Sequence, residues 1–136
     1  MSKLLSRDEF RISTLARNAG VCVVPSCGLE SVDAHHILNR NLFTDDSEFG
    51  GYFMENGAGL CSTHHLDAER TIITTDSLYE YCGYDRILPM HLDPAYSYDT
   101  WGNVVISDYE RIAGELFSDE GCQKALSAAG VLWMFA

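Results

Sequence analysis

Apolar and polar positions alternate in short blocks along this chain, and the blocks predict a mixed order of helices and strands. Ser6-Arg7-Asp8-Glu9 has the capping-box pattern, a serine followed three residues later by a glutamate. Phe10, Leu15 and Ala16 form a modest apolar stripe behind it, and Gly20 can stop the helix. A helix is therefore expected over residues 7–18, with Arg7 and Arg11 on one face. Val21 to Gly28 reads as a short strand or knuckle around a Pro25-Ser26 turn. Ser31 to Leu38 reads as a strand, and Gly57 to Cys61 as its return partner. Between them, Asn39 to Glu55 is a long polar connection containing Gly50-Gly51. Connections of that length in a compact domain are usually functional. A further helix should begin at Ser62 or Thr63, either of which can act as N-cap, and run to about Ile72.

The second half follows a less regular rhythm. Asp76 or Ser77 can cap a short helix through Tyr81 that stops near Gly83. Pro89 and Pro94 bracket an irregular stretch. Tyr98 to Val105 predicts a hairpin turning at Gly102-Asn103. Ser118-Asp119-Glu120 opens a final helix that ends near Gly130. The run Val131-Leu132-Trp133-Met134-Phe135 is wholly apolar and is expected to be packed rather than exposed. No internal repeat or low-complexity tract interrupts the pattern.

Composition narrows the class. The chain has 136 residues, 46% hydrophobic and 21% charged, enough to bury a core and to exclude general disorder. Leu4-Leu5 is too short an apolar run for a signal peptide, and no run approaches membrane-spanning length. A soluble, cytoplasmic protein with no membrane partner is the expectation. Five cysteines, an odd number, then favour metal ligands and free thiols over disulfides. The net charge is -11. Residues 1–40 hold five basic and four acidic side chains, whereas residues 76–136 hold three basic and ten acidic. Only the first third has electrostatic appeal for phosphate. Weak intrinsic affinity for nucleic acid follows, or a basic protein partner or self-association that supplies the grip.

The chemistry concentrates in one segment. Four of the five histidines form two pairs, His35-His36 and His64-His65, flanked by Cys22, Cys27 and Cys61. Cys22-x4-Cys27 and Cys61-x2-His64 are two short-spaced ligand pairs, the set from which a closed tetrahedral zinc site is built. The plainer reading is a group of ordinary buried thiols. Cys82 and Cys122 have no such neighbour and read as small buried hydrophobes. His35 and His36 remain on the first strand. Neighbours on a strand point to opposite faces, so both serve one site only where the strand is ending. His65 and Glu69 share a helix face, and Asn56 precedes the return strand. Asp33 could accept a hydrogen bond from a histidine ring or be a strand-edge charge. Arg40 and Arg70 flank these residues. Like Arg7 and Arg11, they are either solvated or in contact with phosphates.

The order Cys22..Cys27, Asp33-Ala34-His35-His36-Ile37, Asn56-Gly57 and Leu60-Cys61-Ser62-Thr63-His64-His65 resembles the HNH endonucleases, also called His-Me finger or ββα-metal nucleases. Arg7-Asp8-Glu9-Phe10-Arg11 looks like the usual approach to such a core. The resemblance covers about residues 7–75. It departs from the family where His64 stands in place of a cysteine, and the 39–55 loop is long.

This resemblance implies a zinc-braced ββα-metal core in residues 1–75, with an N-terminal helix. Residues 76–136, which it does not reach, are expected to be a mixed acidic extension packed on the same domain, so the fold expected is α+β. The resemblance implies hydrolysis of phosphodiester bonds in DNA, with His36 as general base. His35 and His65 would hold a catalytic divalent metal, Mg2+ or another, with Glu69 as a further ligand. Asn56 would orient the loop or bind the metal. Cys22, Cys27, Cys61 and His64 would hold structural Zn2+, and Arg7, Arg11, Arg40 and Arg70 would contact the nucleic acid. The rival is a catalytically inactive zinc-scaffolded module, or a nuclease subunit, that works through a protein partner.

Overall fold

The computed structural model describes residues 2–135. The expected capping box is present: the Ser6 hydroxyl accepts from the Glu9 amide, and the Glu9 carboxylate accepts from the Ser6 amide. Helix α1 runs over Arg7–Ala16, two residues shorter than expected, because Arg17 adopts an extended conformation and caps it. Its buried face is Phe10 and Thr14 rather than Phe10, Leu15 and Ala16. That face lies on strand β2 (Gly57–Leu60), whose sequence Gly-Ala-Gly-Leu is buried throughout. The glycines permit the approach. A Cβ on Gly59 would stand 2.3 Å from Ser31 Oγ and 2.8 Å from the Thr14 carbonyl.

Strand β1 is shorter than expected, Asp33–His36, and pairs antiparallel with β2, Asp33 opposite Leu60 and His36 opposite Gly57. The Val21 to Gly28 segment is a knuckle, tied by a single bridge between Val21 and Glu30. The long connection is not featureless: one-turn 3-10 segments occupy Arg40–Leu42, Phe49–Gly51 and Met54–Asn56. Helix α2 spans Ser62–Glu69, and its N-cap is Cys61 rather than Ser62 or Thr63. The Cys61 sulfur accepts from the His64 amide at 3.4 Å. The helix ends at Glu69, short of the expected Ile72, and Thr71, with φ of 62°, turns the chain out of the helical path.

Helix α3 covers Thr75–Cys82, capped by Thr74 instead of Asp76 or Ser77, and closes at left-handed Gly83 as expected. Strands β3 (Ser97–Tyr98) and β4 (Val104–Ser107) form the expected hairpin, with β5 (Glu110–Ile112) added as an unforeseen third strand. Helix α4, Glu120–Ala129, starts from an Asp119 cap and ends at left-handed Gly130. Leu132 and Phe135 of the apolar end pack against Trp101, Cys122 and Leu126, but Trp133 is 63% exposed, against the expectation that the whole run is covered. Among the described residues the result is an α+β architecture of four α-helices and two small antiparallel sheets. No described helix is long and apolar enough to cross a membrane.

Candidate metal and histidine sites

Two groups of side chains gather around the β1-β2 pair and helix α2. The first is built by the knuckle and the start of α2. Cys22 and Cys27 come from the knuckle, Cys61 from the helix cap and His64 from the first turn. The four ligand atoms lie within 4.8 Å of one another. Cys22 Sγ stands 3.5 Å from His64 Nδ1, Cys61 Sγ 3.3 Å from the same nitrogen, and Cys27 Sγ 3.9 Å from Cys61 Sγ. A tetrahedral zinc with bonds near 2.3 Å to sulfur has ligand-to-ligand edges of about 3.8 Å, so this set can hold a metal ion such as zinc. Burial pushes the Cys22 thiol up. Burial acts on Cys61 in the same sense, but the amides at the start of α2 and the neighbouring thiols outweigh it and hold Cys61 below the ordinary thiol value. All five cysteines are free, Cys122 is fully buried, and Cys82 is only partly so.

The second group lines a cleft of about 300 Å³ between α1, the end of β1, α2 and the turn after β3. His35, His36, His65 and Glu69 line it, and Arg7, Arg11 and Arg40 stand at its rim. Adjacent strand residues reach one cleft here because β1 ends at His36. The His36 ring stacks on Phe10 at 4.5 Å between centroids and meets the edge of Tyr52 at 5.4 Å. Burial lowers its pKa to about 4, the Arg40 charge acts in the same sense, and the Gly50 backbone opposes both. His35 is 4% exposed, and burial, with His65 and His36 beside it, lowers its pKa to about 3. Both rings are therefore neutral at ordinary pH. The Nε2 atoms of His35 and His36 are buried and have no hydrogen-bond partner among the described residues.

His65 differs. Its Nε2 lies 3.2 Å from Glu69 Oε1 and its Nδ1 3.2 Å from Asp33 Oδ2. The hydrogen bond to Glu69 raises the His65 pKa against the opposing effect of burial, and the same bond lowers that of Glu69. Asp33 is thus the histidine's partner rather than a free edge charge. The His35 and His65 rings meet edge to face at 5.2 Å. Their ligand atoms and that of Glu69 do not converge as closely as those of the cysteine group. A cation here would take the place of the His65–Glu69 hydrogen bond.

Asn56 is fully buried and lies behind the cleft rather than in it. Its side-chain oxygen accepts from the Leu38 amide at 2.9 Å, and its nitrogen donates to the carbonyls of Leu38 and Gly51. Both its N–H donors and its oxygen are engaged in pinning the loop to the residues after β1. Arg70 does not line the cleft.

Sequence reasoning missed the wall that closes the cleft from the second half, Thr100 and Trp101. Thr100 Oγ1 donates to the His36 carbonyl across sixty-four positions, a distance over which no spacing rule operates. Phe10 and Tyr52 were equally invisible as partners of His36. No protein-family model, curated protein or solved structure matches this chain.

Proposed function

We propose that this chain is a metal-dependent endonuclease of the HNH kind that hydrolyses phosphodiester bonds in DNA. The observation that carries the reading is the pair of buried, unpartnered imidazole nitrogens of His35 and His36 in one cleft rimmed by three arginines. Two such nitrogens are costly to bury for structure alone. His36, kept neutral by burial and fixed by Phe10 and Tyr52, takes the proton from the attacking water. His35, His65 and Glu69 hold a divalent cation such as Mg2+, which when bound offsets charge growing on the phosphate and the leaving oxygen. Asn56 keeps the loop, and with it His36, in place. Arg7, Arg11 and Arg40 take neighbouring phosphates. Cys22, Cys27, Cys61 and His64 hold a structural zinc that braces β2 and α2 against the knuckle.

The net charge of -11 favours a second reading, a zinc-scaffolded module that acts through a basic protein partner. Plasmid nicking by the purified protein in Mg2+, Mn2+ and Ni2+, alongside its metal content by mass spectrometry, separates the two. The nuclease reading expects one tightly held zinc and nicking that depends on added divalent metal. Zinc without any nicking in all three metals favours the binding module.

A further inference from the structure

The acidic second half contacts the cleft through one five-residue turn, Asp99 to Asn103, and that turn touches both functional strips of the first half. Thr100 accepts from the Asn39 amide at 2.8 Å, and its hydroxyl donates to the His36 carbonyl. One residue on, the Trp101 indole N–H donates to the Glu69 carbonyl at 2.8 Å. Glu69 is the last residue of α2, so its carbonyl belongs to the turn of helix least restrained by the helix itself. We propose that Trp101 is a positioning residue for the cleft. Its indole N–H anchors the C-terminal turn of α2 through the Glu69 backbone, and so sets where the Glu69 carboxylate stands relative to His65. The inference rests on the reading of His35, His65 and Glu69 as cation ligands.

The turn is built to hold this position. Asp99 is buried, and its carboxylate is shared among four donors: the Trp101 and Asn103 amides, the Asn103 side chain and the Arg111 guanidinium. The same Arg111 nitrogen donates to Thr71 Oγ1 at 3.0 Å. Thr71 lies just past the end of α2, so the buried Asp99–Arg111 pair ties the turn to α2 at a second point, beside the first. Trp101 itself is 9% exposed and packs with Cys122 and Leu126 of α4. Removing one donor of this kind leaves an exposed-end carbonyl unmatched and lets the last turn fray. Packing alone would need the ring and not the N–H. A positioning role needs the N–H.

The test uses the full chain with its zinc bound and Mn2+ as the probe, with free Mn2+ read by electron paramagnetic resonance. Trp101→Phe keeps most of the ring and removes the donor. Should that variant fail to fold, benzothienylalanine at position 101 keeps the bicyclic shape and replaces the N–H with sulfur. Loss of the bond should weaken Mn2+ binding about 3- to 10-fold. The decisive measurement is the same change made in a Glu69→Gln background. Coupling through Glu69 predicts that the Trp101 effect largely disappears there. Unchanged Mn2+ affinity in the Trp101 variant, while Glu69→Gln weakens it, overturns the positioning role and leaves the cation site standing. An equal Trp101 effect in both backgrounds overturns it too, since the residue would then act on the fold generally. Mn2+ binding that is insensitive to both His65→Ala and Glu69→Gln removes the cation site and this inference with it.

Discussion

In the proposed nuclease, the surroundings of His36 fit it to act as the base. Burial beside Phe10 and Tyr52 disfavours the imidazolium, the Arg40 charge acts in the same sense, and the pKa falls to about 4. A lowered pKa keeps the neutral, proton-accepting form populated as pH drops below the ordinary 6.5. Cleavage at saturating metal should therefore persist through pH 6 and decline only further toward about 4. A rate profile between pH 4 and 8 checks this, and an acid limb centred at 6.5 would show that the ring is solvated during the proposed reaction. The two histidines of α2 should separate just as clearly. His64 sits 3.3 Å from Cys61 Sγ, and His65 faces Glu69 and Asp33. His64→Ala is expected to lose zinc and to unfold at lower temperature, because structural zinc binding is coupled to folding. His65→Ala should keep both zinc and fold. Metal content and thermal melts of the two variants decide it, and a zinc-replete, normally stable His64→Ala would reverse the assignment.

The elements that carry the site are short, and their order was legible because local signals mark their ends. The Ser6–Glu9 box, Gly83 and Gly130 each do locally what their residue type does in any chain. The Cys/His cluster was legible from spacing alone, since each pair sits within one turn or knuckle. What escaped was set by packing across the chain. Cys61 caps α2 with its sulfur, a weak acceptor that propensity does not rank above serine or threonine. The buried face of α1 is centred on Thr14 rather than Leu15 because it must meet two glycines of β2, not a general apolar surface. β5 has an alternation too short to register. The α1–β2 contact gives a direct test: Gly59→Ala should destabilise the protein by about 1–3 kcal/mol, the usual range for overpacking a tight contact. Denaturant unfolding measures it, and a neutral substitution would mean that Ser31 and Thr14 yield more readily than their distances suggest.

For the molecule as a whole, charge and site pull in different directions. Three arginines rim the cleft, while the second half carries three basic against ten acidic residues. Affinity for duplex DNA should be weak at physiological salt. The slope of log affinity against log salt should not exceed about 3 in magnitude, the contribution of three phosphate contacts. Fluorescence anisotropy over a salt series tests this, and tight binding with a steep slope would locate cationic surface elsewhere. The acidic half is then better understood as a brace for the cleft, through the Asp99–Asn103 turn, than as a surface for nucleic acid. The most direct test of the whole account is plasmid nicking in Mg2+ or Mn2+ by the native protein and by His36→Ala, with zinc content and circular dichroism matched between them. The account predicts that the variant folds, keeps its zinc and loses about 10²–10⁴-fold in rate, the usual worth of a general base. A folded His36→Ala protein that nicks as fast as the native one would contradict it.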